Sequence, residues 1–267
     1  KYNTYLIWTM EERFMHKVSK GSRFNQVYIP NSMSQIFEPG DVVEIRLVKK
    51  KSELFYSKNL KKIGSFKEKL ISEIFSFLKG FNGIKKVFIV GSFLTKKIDY
   101  DDIDIIIVMK EIIGIEEINK KILDLFEIKL HLLFISEEQF NKLTESCPMT
   151  ICMLRYFVSD KGFILPQKQI IDKNHISFLL MMPYDLIDTS IMNGAIWKSN
   201  LRRIICIERF LYGKELDSRH IDKILEKVVG KKIFLLMEKG EFLNQETIKI
   251  LKKIAKAKLT KIEEIIK

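Results

Sequence analysis

The strongest constraint on the fold comes from residues 85–110, KKVFIVGSFLTKKIDYDDIDIIIVMK, in which two apolar runs each border a polar motif. The first run, Lys86–Val90, predicts a buried strand that ends at Gly91 and Ser92. The second run, Asp102–Met109, predicts another strand that begins with acidic residues. This segment therefore predicts a sheet in which a glycine–serine turn and a pair of carboxylates border adjacent apolar strands.

The acids of the second strand, Asp102 and Asp104, predict a metal site. Side chains alternate between the two faces of a strand, so these two carboxylates point to the same side. Adjacent carboxylates repel unless a divalent cation lies between them, and Mg²⁺ binds such oxygens together with substrate phosphates. Gly91 lets phosphate oxygens approach the backbone and Ser92 adds a hydroxyl donor, while Lys96 follows the turn and can neutralise phosphate charge.

The order and spacing of Gly91-Ser92 and Asp102-Ile103-Asp104 resemble the signature of nucleotidyltransferases of the DNA-polymerase-beta-like superfamily, over about 100 residues from Phe66 to Leu165. The resemblance implies a mixed sheet with helices on one face. It also implies transfer of a nucleoside monophosphate from an NTP to a hydroxyl acceptor, with Mg²⁺ or Mn²⁺ as cofactor. Asp102 and Asp104 would then be catalytic and would bind the metal. The alternative is a simple turn and two solvated acids at a strand end.

The sequence departs from the family pattern on the neighbouring strand, where a third carboxylate usually stands. His131 occupies that position, and Glu127 lies roughly 13 Å back along the strand. Three alternatives follow for His131. In the first, it is a catalytic residue that accepts the proton of the acceptor hydroxyl or binds a softer metal. In the second, the site binds nucleotide without turnover, and in the third, this histidine has no function.

Residues 17–48 resemble an AbrB-like swapped hairpin, because Gly21 marks a turn, Val27–Pro30 reads as a strand-to-helix step, and Pro39-Gly40-Asp41 precedes a last predicted strand at Val42–Val48. The resemblance implies a homodimer of interlocked halves. It also implies DNA contacts by basic residues, for which the candidates are Lys17, Lys20, Arg23 and Arg46. The alternative is a β-extension that packs on the transferase domain.

The chain as a whole predicts an α+β protein in three parts. Residues 1–52 form a small β module, residues 53–168 the nucleotidyltransferase domain, and residues 169–267 an all-helical C-terminal region. In the transferases that the chain resembles, such helices shape the pocket for the acceptor or the base.

Charge and cysteine content narrow the partners and the compartment. The net charge of +12 favours anionic partners, whether nucleic acid, free nucleotide or an acidic membrane surface, or it reflects a general excess of lysine. The three cysteines form no C-x-x-C pair, which favours a reducing, cytoplasmic location. Because no apolar stretch approaches about 18 residues, no membrane partner is expected.

Three functions compete on this sequence. The first is a metal-dependent nucleotidyltransferase. The second is a non-catalytic regulator that binds nucleotide or DNA, built on a degenerate transferase domain. The third is an interaction scaffold, such as one component of a toxin–antitoxin pair. Metal-dependent release of pyrophosphate separates the first from the other two.

Overall fold

A computed structural model of the 267-residue chain describes residues 15–45, 53–61, 63–95, 100, 102–126 and 128–267. The chain divides into two units, Lys1–Lys49 and Lys50–Lys267. The second unit contains both the large sheet and the C-terminal helices, so the predicted boundary between residues 168 and 169 falls within it.

The N-terminal unit contains a two-stranded antiparallel sheet of β1 (Ser19–Lys20) and β2 (Asn25–Gln26). The Gly21 N–H donates to the Phe24 carbonyl at 3.1 Å and closes the turn between them. A short 3₁₀ helix, Asn31–Met33, follows Pro30. The structure therefore shows the small N-terminal β module that the sequence predicts.

The predicted strand at Val42–Val48 is wrong for residues 42–45, which have no regular structure, and residues 46–48 lie outside the described residues. A strand requires a hydrogen-bonded neighbour, and β1 and β2 pair only with each other among the described residues. The apolar side chains in this stretch are exposed, with Val42 at 99% and Ile45 at 70%.

The second unit is built on a mixed sheet of five strands, which are β3 (Phe55–Tyr56), β4 (Ile84–Val90), β5 (Ile103–Met109), β6 (Leu130–Ser136) and β7 (Val158–Ser159). Their order in the sheet is β3-β7-β4-β5-β6. β5 pairs antiparallel with β4 and parallel with β6, while β7 runs antiparallel to both β3 and β4.

Nine α-helices complete the described part of this unit, and the last five follow one another without an intervening strand. The fold is therefore α+β with a mixed sheet and a helical C-terminal region, as predicted. The helices are α1 (Ser65–Leu78), α2 (Ile115–Leu125), α3 (Glu137–Ser146), α4 (Pro148–Met153), α5 (Lys173–Asp188), α6 (Gly194–Leu211), α7 (Ser218–Val229), α8 (Lys231–Glu238) and α9 (Gln245–Ile266).

Side-chain caps fix where several helices begin. Ser136 accepts the N–H of Gln139 at the start of α3, and Asp217 accepts two N–H groups at the start of α7. Asn193 and Asn244 cap α6 and α9 in the same way. Each cap supplies an acceptor to a backbone donor that has none within its helix.

Both faces of the sheet are covered. On one face, α1 and α2 pack Ile71, Phe75 and Ile122 against β4 and β5. On the opposite face, an aromatic cluster covers the strands, and Phe140 brings α3 into it. β5 is consequently apolar on both sides from Ile105 onward, which explains its uninterrupted hydrophobic run.

The C-terminal helices enclose a separate core that is centred on α6, where Trp197 is fully buried. Ile151 and Cys152 of α4 belong to this core, so α4 joins the helices to the sheet. The three cysteines are buried free thiols. Within the described residues, no helix combines the length and the hydropathy that crossing a lipid bilayer requires.

Candidate metal centre

Two neighbouring strands bring the predicted acids and His131 together. Asp104 lies one residue into β5, where it pairs with Val90 of β4 and with His131 of β6. Alternation along β5 places Asp104 on the same face as Ile106 and Val108, the face covered by the aromatic cluster. This face therefore carries the polar groups at the end of the sheet where β4 finishes.

Asp102, Asp104 and His131 form a cluster that could hold a metal ion. One ligand atom from each residue lies within 4.8 Å of the other two. The His131 Nδ1 lies 3.0 Å from the Asp104 Oδ1, and the two side chains are 69% and 37% exposed. Two carboxylates and an imidazole suit a divalent cation. The imidazole nitrogen favours Mn²⁺ or Zn²⁺ over Mg²⁺, which prefers oxygen ligands. A ligand can reach the cluster from solvent.

The glycine–serine turn lies directly against this cluster. Gly91 has φ 80° and ψ −157°, a conformation that is essentially restricted to glycine. A Cβ atom at Gly91 would lie 2.2 Å from the Asp104 Oδ2. Ser92–Leu94 form a 3₁₀ turn that follows at once. The absent side chain of Gly91 therefore leaves the space that the Asp104 carboxylate fills.

Lys67 of α1 forms hydrogen bonds to the residues that follow the glycine–serine turn. Its Nζ donates to the carbonyl oxygens of Phe93 at 2.7 Å and Thr95 at 2.9 Å. It also lies 5.0 Å from the centroid of the Phe93 ring and 5.2 Å from that of Tyr100. Burial lowers the pKa of Lys67. The sequence gives no signal for this residue, because it stands 26 positions before Phe93 on a helix with an ordinary apolar pattern.

The structure brings five predicted site residues to one end of the sheet: Gly91, Ser92, Asp102, Asp104 and His131. Lys96 and Arg46 lie outside the described residues. Lys17, Lys20 and Arg23 belong to the N-terminal unit, where all three are exposed around the β1–β2 turn.

No family model matches the sequence, and none of the curated proteins is similar to it. The function of the cluster has therefore to be inferred from its geometry and from the motif that forms it.

Proposed function

We propose that the chain is a nucleotidyltransferase, which transfers a nucleoside monophosphate from an NTP to a hydroxyl acceptor in a reaction that depends on Mg²⁺ or Mn²⁺. The observation that carries this proposal is the contact between the turn and the acids. The Asp104 carboxylate occupies the space beside Gly91, so phosphates bound at the turn would lie next to Asp102 and Asp104. A turn and two solvated acids without a shared task would not need this close approach.

Each residue of the cluster has a distinct role in the proposed reaction. Asp102 and Asp104 hold the cation, which when bound neutralises phosphate charge and favours ionisation of the acceptor hydroxyl. Gly91 gives the Asp104 carboxylate room to lie against the turn, and the hydroxyl of Ser92 donates to a phosphate oxygen bound there. Lys67 keeps the turn in place through its bonds to two carbonyl oxygens.

His131 takes the position of the missing third carboxylate. Its Nδ1 faces Asp104 at 3.0 Å, which fixes the orientation of the ring. The Nε2 is then the ring nitrogen that accepts the proton of the attacking hydroxyl.

Pyrophosphate release tests this function directly. The protein is incubated with each of the four NTPs and with Mg²⁺ or Mn²⁺, and pyrophosphate and label transferred from α-labelled NTP are measured. We expect release that stops when EDTA removes the metal. Absence of release with all four NTPs and both metals, in the presence of RNA, DNA and protein acceptors, would contradict the proposal.

A second candidate function, a DNA-binding regulator, is favoured by the basic hairpin of the N-terminal unit. Lys17, Lys20 and Arg23 are exposed on and beside β1, β2 and their turn. Replacing all three with alanine is expected to lower duplex-DNA affinity at least about 10-fold. The slope of the logarithm of affinity against the logarithm of salt concentration should fall by the amount expected for about three lost phosphate contacts. Fluorescence anisotropy at several salt concentrations measures both. Lys227→Ala, which removes a lysine of the other unit, is the control. If the triple variant has the same DNA affinity and the same salt dependence as this control, the candidate function is wrong.

We further propose that the N-terminal unit forms a homodimer. Its apolar side chains are exposed to an unusual degree for so short a segment, including Val42 at 99% and Ile45 at 70%. Light scattering should give about twice the 31.5 kDa chain mass. Replacing Val42 and Ile45 with lysine is expected to give a monomer, whereas Phe242→Lys, an exposed apolar site of the other unit, should leave the dimer intact. A wild-type monomer at micromolar concentration would contradict the proposal.

The three buried free thiols agree with a reducing compartment, and we propose a cytoplasmic location.

A further inference from the structure

A cavity of about 370 Å³ opens in the second unit, where the turn after α4 meets the end of α6 and the start of α7. None of its lining residues belongs to the metal centre. The groups that matter on its wall are Tyr156, Arg209, Glu215, Asp217, Arg219 and Lys223.

Among the described residues, none of the three cations of the cavity forms an ion pair with a carboxylate. The charge of Asp217 attracts Arg219 over a longer distance. The Arg219 guanidinium lies over the Tyr156 ring, 4.5 Å from its centroid, which leaves its N–H donors at the edge available. The Nε and Nη2 of Arg209 donate to the Glu215 carbonyl oxygen at 2.9 and 2.7 Å, so backbone fixes this side chain. Lys223 stands one helical turn after Arg219, on the same side of α7.

The ion pairs around the cavity use other cations. Arg155 lies 3.7 Å from the Glu215 carboxylate, and Arg202 lies 2.9 Å from Asp222. The positive charges on the wall of the cavity are therefore not cancelled by these pairs.

Asp217, the other acid of the wall, accepts hydrogen bonds from groups of the protein itself. It accepts the N–H groups of Arg219 and His220 at the start of α7 and the hydroxyl of Tyr156 at 2.5 Å. Burial alone would raise the pKa of Asp217, but these hydrogen bonds outweigh it and lower the pKa. Burial and the bond to Asp217 raise the pKa of Tyr156, which keeps its hydroxyl a donor. The wall is left with an excess of positive charge.

The cavity and the metal centre lie at the same end of the sheet. Val158 of β7 pairs with Ile89 in an antiparallel register, so the chain just before Val158 leaves the sheet where β4 reaches Gly91. β7 and β5 are separated by β4, which corresponds to two strand spacings, or roughly 10 Å. Tyr156 lies two residues before β7, so the separation of the two sites is on the order of these two spacings, about the rise of three stacked nucleotides at roughly 3.4 Å each.

We propose that this cavity binds a backbone phosphate of a nucleic-acid acceptor whose terminal hydroxyl lies at the metal centre. This role rests on the proposed transfer reaction and names its acceptor class. The guanidinium edge of Arg219 and the ammonium group of Lys223 bind the phosphate oxygens, while the triphosphate of the NTP stays at the Gly91–Ser92 turn. The separation of the two sites favours an acceptor phosphate over a phosphate of the NTP.

Equilibrium binding without turnover tests the cavity. The affinity of fluorescein-labelled single-stranded RNA and DNA of 12 nucleotides is measured by anisotropy in EDTA at several salt concentrations. Arg219→Ala and Lys223→Ala, both at exposed positions, should each lower the affinity for at least one of the two strands by about 3- to 10-fold. The slope of the logarithm of affinity against the logarithm of salt concentration should fall by about one in each variant. Lys227→Ala, an exposed lysine of the same helix, should change the affinity less than 2-fold.

Binding of ATP with Mn²⁺, measured by calorimetry, separates the two sites. Arg219→Ala should leave it unchanged and Asp104→Asn should abolish it. If Arg219→Ala weakens ATP and not the oligonucleotides, the cavity holds a phosphate of the NTP and the inference is wrong. It is equally wrong if neither cavity variant changes oligonucleotide binding. If Asp104→Asn still binds ATP with Mn²⁺ while Arg219→Ala loses oligonucleotide affinity, the phosphate site stands and the transfer reaction fails.

Discussion

Replacing Asp104 with asparagine is expected to lower metal-dependent pyrophosphate release by about 1000-fold or more. Asp104 is the group that links the two halves of the site, because it lies beside Gly91 on one side and beside His131 on the other. Asparagine keeps the shape of the side chain but removes the charge that a divalent cation needs. Losing the cation that neutralises the charge of the reacting phosphate costs a rate factor of this order.

A measurement that does not depend on turnover accompanies this prediction. Mn²⁺ bound only by the folded chain raises its free energy of unfolding, by about 2.7 kcal/mol at 100 times the dissociation constant. We expect the melting temperature of the wild-type chain to rise with Mn²⁺ and that of Asp104→Asn and Asp102→Asn to stay constant. Glu116→Gln, an exposed acid at the start of α2, removes the same charge beyond the opposite end of β5 and should respond to Mn²⁺ as the wild type does. Full activity in Asp104→Asn would show that the cluster is not the reacting site.

Replacing Gly91 with alanine is the second large effect that we expect. The φ of 80° and ψ of −157° are strained for any residue with a Cβ, at a cost of about 1–3 kcal/mol. The new methyl group would also stand 2.2 Å from the Asp104 Oδ2, so the carboxylate has to move. The variant should therefore lose both unfolding free energy and the stabilisation by Mn²⁺.

Chemical denaturation with and without Mn²⁺ measures the two losses separately. Gly162→Ala is the matched control, because its Cβ would meet only the Phe55 ring at 3.9 Å or more. We expect that control to unfold within about 0.5 kcal/mol of the wild type. A Gly91→Ala chain that is as stable as the wild type and responds to Mn²⁺ in the same way would show that the close approach at the turn has no role.

The central part of the fold could be predicted from the sequence because its strands are long and buried on both faces. β4 and β5 begin and end within about two residues of the limits predicted for them. The glycine–serine turn and the alternation of Asp102 and Asp104 followed from local rules alone. The register that pairs Asp104 with His131 agrees with the position expected for the third ligand.

Other parts could not be predicted, since their signals are not local. β3 and β7 are two residues long and too short to show periodicity. They exist because β3 pairs with β7 and β7 pairs with β4. Lys67 reaches the turn from another element. The cavity around Arg219 forms where three distant segments meet, and the sequence shows only scattered arginines there.

The placement of α4 has a consequence for substrate length. Its residues Ile151 and Cys152 are buried among the C-terminal helices, and the chain enters the sheet at Val158 only a few residues later. So short a connection limits how far the helices can move along the sheet. In the proposed transfer reaction, the span between the reacting hydroxyl and the phosphate bound at the cavity is then set by the protein and not by the ligand. Under that proposal, acceptors of one or two nucleotides should be poor substrates because they are too short to use both contacts, whereas longer strands gain nothing further from added length.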